Sequence, residues 1–194
     1  MDNPGAEEKK EVHKALGEEG DSMVEILIEN LGSKDPTVRA NAAWDLGNLG
    51  DDRVLDPLVE ALEDEDSSVR RCSAWGLGSL ADPGGLDPLI RALGDEIWRV
   101  RSAAAQSLGE IGDPRALEPL VKTLNDLDPL VRLMAASALG QIGDVRAVEP
   151  LVQLLDDSHR PCQIIAAESL EKLGWRYNGD RRSKISKFLG RLGW

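Results

Sequence analysis

Apolar positions along the chain recur in two alternating patterns. Between residues 54 and 62, Val54, Leu55, Leu58, Val59 and Leu62 fall largely three and four apart, which draws one apolar stripe along a short helix. Pro57 sits near its start, where a missing backbone donor costs little. A longer pattern covers VRANAAWDLGNLGD at 38–51; it is opened by an Asp or Ser before the Val-Arg pair and closed near Gly50, so it predicts a second helix with an N-cap and a glycine C-cap. The pair of patterns returns after 31 residues, where 69–82 reads VRRCSAWGLGSLAD. Leu46, Leu77, Leu108, Leu139 and Leu170 form one column, Ala43, Ala74, Ala105, Ala136 and Ala167 another, and Pro57, Pro88, Pro119 and Pro150 a third.

A two-helix unit of this size cannot cover its own stripe and has to stack on its neighbours. The expected architecture is therefore all-α, a right-handed α-solenoid of two-helix units forming one domain over 1–194. Residues 1–20 are expected as an N-terminal cap helix, 21–174 as five units, and 175–194 as a C-terminal cap with a basic helix around 181–192. Trp175 and Trp194 are expected to close the last apolar layer. The repeated VRxxAAxxLGxIGDxRAxEPLxxxLxD pattern resembles the HEAT-like repeats, in particular the short kind named after phycobilisome lyases. That resemblance covers roughly 21–174 and implies that the second helix of each unit lines a concave surface. It fixes function weakly, because similar repeats serve bilin lyase subunits, a di-iron hydroxylase, DNA-alkylation repair proteins and scaffolds.

Winding the second helix at about 100° per residue from Val38 puts Val38, Ala42, Ala43, Leu46 and Leu49 in an arc of about 0–140°. Thr37, Ala40, Trp44 and Asn48 fall opposite, at about 200–280°. Trp44 and, by the period, Trp75 are thus expected to point away from the core. The column they begin continues as Gln106, Ser137 and Glu168, and its neighbour reads Ala40, Arg71, Ser102, Leu133 and Ile164; such variety does not suit a buried slot. Two such indoles could simply stack across adjacent units, or offer a contiguous apolar patch to a partner, since each ring presents roughly 150–250 Å². Trp98 stands at the rim of the same helix face, beside Arg99. Trp44, Trp75, Trp98, Arg71, Arg99 and Gln106 form the candidate partner-binding set, of the residue types enriched at interface hot spots.

Arg39, Arg70, Arg101 and Arg132 make the most regular charged column, yet the wheel places them at about 100°, inside the core arc. A charge there needs a partner. Asp64, Asp95 and Asp126 each precede an Arg by six residues, so these pairs are expected to hold the turns and align the units, with the ladder ending where Ser33 and Gln163 interrupt it. The glycines at 47, 78, 109 and 140 occupy helix interiors at a cost of about 1 kcal/mol each, which implies close approach of another backbone.

The net charge of −12 disfavours binding to nucleic acid or anionic lipid, both of which attract a basic face. No run of about 18 apolar residues suggests a membrane span, and MDNPGAEEKKEVHK lacks the apolar centre of a secretory signal; the expected location is the cytoplasm. Cys72 and Cys162 lie far apart without a CxxC pairing, and His13 and His159 are too few for a histidine metal cluster, so no metal or cofactor is expected. The hydroxylase relatives use His-Glu pairs, and the chain has no His-Glu dipeptide. The expected function is a non-catalytic scaffold holding an acidic or amphipathic segment of a protein partner, with a homo-oligomer possible. The alternative is a bilin lyase-like subunit holding a chromophore.

Overall fold

The computed structural model describes residues 18–175. Of the cap helix expected over 1–20, residues 18–20 belong instead to the first helix of the first unit, and the rest, with the helix expected around 181–192, His13 and Trp194, lies outside the described residues. Among the described residues ten α-helices follow one another, and after a 13-residue α1 they alternate long and short: α1 (Glu18–Asn30), α2 (Pro36–Leu49), α3 (Leu55–Ala61), α4 (Ser67–Leu80), α5 (Leu86–Ala92), α6 (Trp98–Ile111), α7 (Leu117–Thr123), α8 (Pro129–Ile142), α9 (Val148–Leu154) and α10 (Arg160–Lys172). Each odd-numbered helix packs on the even-numbered one that follows, giving five two-helix units. The first helix begins at Glu18, one turn before the SMVEILIENLG stretch that signals it in the sequence.

The local chemistry of the boundaries follows the repeat. Asp35, Asp66 and Asp128 cap α2, α4 and α8 by accepting from the backbone amides of Thr37, Ser68 and Leu130. The long helices end on left-handed residues at Gly50, Ala81, Gly112, Gly143 and Gly174. Ala81, at φ 53°, is the one non-glycine residue with positive φ among the described residues, where an L side chain costs roughly 1–2 kcal/mol. Asp51, Asp82, Asp113 and Asp144 open the short 3₁₀ turns that lead into the odd helices.

The second helices of successive units pack directly on one another in a continuous row, whereas successive first helices make no comparably close contact. Small residues permit this. A Cβ placed on Gly109 would lie 2.8 Å from the Cα of Ala138, and one on Gly78 2.5 Å from the Cβ of Ser107. The seam thus matches the column of Gly47, Gly78, Gly109 and Gly140 with Gly76, Ser107, Ala138 and Ser169 of the following unit. Ser107 and Ser169 also donate across it, to the carbonyls of Ala74 and Ala136 at 2.8 and 2.9 Å. Cys72 and Cys162 are both buried near this row, and Cys162 Sγ donates to the Pro129 carbonyl at 3.1 Å.

The arginine column is paired, in a different register from the expected one. Arg39, Arg70, Arg101 and Arg132 each form a two-pronged ion pair with the aspartate 25 residues later: Asp64, Asp95, Asp126 and Asp157. The residue six before contributes only its backbone carbonyl, accepting from Nη1 at 2.8–2.9 Å. Each aspartate also accepts the backbone amide two residues on, so one carboxylate both fixes its own turn and grips the preceding unit. The ladder does not stop where expected: it takes in Arg39, although Ser33 replaces the upstream aspartate, and Asp157, although Gln163 replaces the next arginine and only donates to the Asp157 carbonyl at 2.6 Å. Burial disfavours ionisation of Asp126, but the hydrogen bonds from Arg101 and from the Asp128 amide outweigh it, and the carboxyl titrates below its ordinary range.

Two positions depart from the helical wheel. Ala40 is buried although the wheel turns it outward, because it stands two turns before Gly47 on the ridge that meets α4. Val38 is 36% exposed although its counterparts Val69, Val100 and Val131 are fully buried. Those three face the preceding unit's second helix, and α2 has none before it among the described residues.

Candidate functional site

On α4 the buried residues Val69, Cys72, Ser73, Ala74, Gly76, Leu77, Gly78 and Leu80 span about 240° of the wheel, because the helix is flanked by α2, α6 and its own short partner. What remains open is a narrow strip at about 200–280° bearing Ser68, Arg71, Trp75 and Ser79. The same strip on α2 carries Trp44, which is 41% exposed. The outward phase of the indoles therefore follows from the seam: wherever small residues bring the long helices together, larger side chains must leave through this strip.

Trp44 and Trp75 stack, with ring centroids 3.6 Å apart and planes at 14°. The stack bridges two units and covers part of each ring, yet leaves Trp44 exposed and Trp75 half-buried. The next step along the row opens into a hollow of about 560 Å³ between α4 and α6. Its lining includes Arg71, Trp75, Trp98, Arg99 and Gln106, five of the six candidate residues, and the stack with Trp44 forms its border. Serines 67, 68 and 102 complete much of the polar wall.

The electrostatics of this hollow differ from those of the surrounding surface. The Arg99 guanidinium lies over the Trp98 ring, 4.5 Å from its centroid, a cation–π contact that holds the charge at the mouth. Arg71 reaches, among the described residues, the Cys72 sulfur at 3.8 Å. Among the described residues neither guanidinium forms an ion pair with a carboxylate, and no carboxylate lines the hollow. Ile97 occupies the place where the capping Asp35, Asp66 and Asp128 stand in other units, which removes the acid the repeat would supply. Gln106 donates to Glu110 at 2.9 Å and is thereby oriented along α6. Burial pushes the Cys72 thiol up, with Arg71 countering only in part, so the thiol stays protonated at neutral pH.

Elsewhere the described residues hold no cluster of His, Cys, Asp and Glu arranged for a metal ion, and no helix long and apolar enough to cross a membrane. Trp175 packs against the core beside the last unit. The sequence reading passed over one feature of this face. Past the hollow the strip carries two exposed aliphatic side chains, Leu130 at 41% and Ile164 at 37%, beside Ser137 and Glu168; the column ending in Leu133 and Ile164 carried that signal.

HEAT repeats match the chain over residues 24–109 and 86–171. Among solved structures, the complex of CpcE and CpcF of phycocyanin lyase from Nostoc sp. PCC7120 is similar at 30% identity and a TM-score of 0.72, over 79% of this chain and 65% of that one. The chain thus spans just under two thirds of that relative's length. An engineered protein is similar at 26% identity and a TM-score of 0.67, covering 87% of this chain and 88% of that one. A designed armadillo repeat protein in complex with the peptide (KR)4, at 22% identity and a TM-score of 0.63 over 84% and 86% of the two chains, shares the fold. No curated protein matches the chain. The repeat columns, the stacked two-helix units and these matches agree: the chain belongs to the HEAT-repeat family.

Proposed function

We propose that the chain is a non-catalytic protein-interaction scaffold whose second-helix face holds an acidic or amphipathic segment of a protein partner. The tight packing of the long helices makes theirs the inner row of the stack, so the strip faces a concavity. The observation that carries the reading is the hollow itself: two guanidiniums without carboxylate partners among the described residues and two indoles line one depression in a chain of net charge −12. Such a depression attracts carboxylates and seats flat or apolar groups beside them. Trp44, Trp75, Trp98, Arg71, Arg99 and Gln106 are its contact residues. The test is fluorescence anisotropy of a labelled peptide of alternating Glu and Leu, titrated with the chain. Saturable binding that weakens at least about tenfold in Trp44→Ala/Trp75→Ala and in Arg71→Ala/Arg99→Ala supports the reading; equal binding by all three proteins contradicts it.

A second reading is supported by the likeness to the phycocyanin lyase complex: a lyase-like subunit in which the same indoles hold a chromophore. Mixing the chain with a bilin and recording its absorbance separates the two. A spectral shift lost in Trp75→Ala favours the chromophore.

A further inference from the structure

The two outward columns change chemistry together along the row. One reads Thr37, Ser68, Arg99, Leu130 and Pro161, the other Ala40, Arg71, Ser102, Leu133 and Ile164. On α4 and α6 the pair is polar and cationic, with Ser68, Arg71, Arg99 and Ser102; on α8 and α10 it is apolar, with Leu130, Leu133, Pro161 and Ile164. Leu130 and Ile164 are exposed on α8 and α10, and Leu133 between them packs partly against the core. Leu130 and Ile164 stand on neighbouring second helices, the ones that follow the cationic hollow along the row, with the exposed Glu168 one turn after Ile164.

Resting on the scaffold reading above, we propose that this face is a two-part docking surface for one polar-to-apolar segment of a partner protein. Its carboxylates sit at Arg71 and Arg99, and its aliphatic side chains sit on Leu130, Leu133 and Ile164. The occupant follows from complementarity: the hollow is cationic within an acidic chain, while Leu130 and Ile164 beyond it are exposed and aliphatic. The spacing follows from helix packing. Neighbouring helices lie about 8–10 Å apart, so the two steps from α6 to α10 span about 16–20 Å. An extended chain advances about 3.3 Å per residue, which separates the acidic and aliphatic ends of the segment by about five or six residues.

The probes are synthetic peptides: a Glu triplet joined through a Ser-Gly spacer of about six residues to Leu-Leu-Ile, the Glu triplet with spacer alone, and the joined peptide with its spacer cut to about two residues. Binding to the full chain is read by anisotropy. The joined peptide should bind about tenfold more tightly than the Glu triplet alone, because linking makes the second contact intramolecular. The short spacer should lose that gain. Leu130→Ser/Ile164→Ser, both surface changes, should reduce the joined peptide to the level of the triplet and leave the triplet's own affinity unchanged. Added salt should weaken the triplet and spare the aliphatic increment. If the triplet binds through Arg71 and Arg99 but the joined peptide binds no better, or the serine variant binds it equally well, the two-part surface is refuted and the scaffold reading stands. If no acidic peptide binds, both fall.

Discussion

The register of the arginine ladder can be settled by a double-mutant cycle on one rung. Arg101 reaches Asp126 through Nε and Nη2 at 2.7 and 2.8 Å, and the two side chains are 16% and 12% exposed. Exposed ion pairs contribute about 0–1 kcal/mol and removing one partner of a buried pair costs about 3–5 kcal/mol. A rung that is mostly, not fully, shielded and doubly hydrogen-bonded should therefore couple by about 2 kcal/mol. Arg101→Ala, Asp126→Ala and the double variant are compared by urea unfolding followed by circular dichroism. The same cycle between Arg101 and Asp95 is the control, because the Asp95 side chain is engaged by Arg70 and Arg101 meets only its carbonyl. Coupling of about 2 kcal/mol to Asp126 and below about 0.5 kcal/mol to Asp95 is expected. The reverse order would refute the inter-unit register.

Three further outcomes follow from the same packing. Ala81→Gly removes an L side chain from φ 53°; the relief of about 1–2 kcal/mol, less about 0.5–1 kcal/mol for the freer unfolded chain, should raise the melting temperature by about 1–4 °C, and a lower value would contradict it. Gly109→Val forces α6 from α8, since even a Cβ there meets Ala138 at 2.8 Å; an unfolding free energy lower by about 2 kcal/mol is expected, against no change if the seam is loose. Asp126 titrates below its unfolded value near 3.9, so its contribution is complete above about pH 5 and is lost progressively as pH falls through the unfolded value towards the folded one. Melting temperatures measured from pH 6 to pH 3 should fall more steeply for the wild type than for Arg101→Ala/Asp126→Ala, and parallel curves would refute the assignment.

Periodicity made the helices, their caps, the glycine seam and the outward phase of Trp44 and Trp75 legible, because each rests on angles within one helix or on a column repeated in every unit. The partner of each arginine was not legible in the same way. In a 31-residue repeat an aspartate six residues before one arginine is also 25 residues after the previous one, so the interior copies fit both registers equally. Only the ends differ: Arg39 persists although Ser33 replaces its upstream aspartate, and Asp157 persists although Gln163 replaces the following arginine. Those two departures held the answer. Val38 and Ala40 were misplaced because a single wheel treats a helix as having one buried face, whereas the long helices are covered by neighbours on both sides. The indole stack was foreseen as an alternative to an open patch, and its geometry combines the two: one face of each ring is used internally and the remainder stays accessible.

Site-specific photo-crosslinking tests the central claim most directly. A benzophenone amino acid replaces Gln106, inside the hollow, or Glu118, exposed on α7 away from it, and each protein is irradiated with the acidic Glu-Leu peptide. Crosslinking at position 106 that Arg71→Ala/Arg99→Ala abolishes, with none at 118, is the expected result. Equal crosslinking at both positions, or at 118 alone, would contradict recognition by the second-helix face.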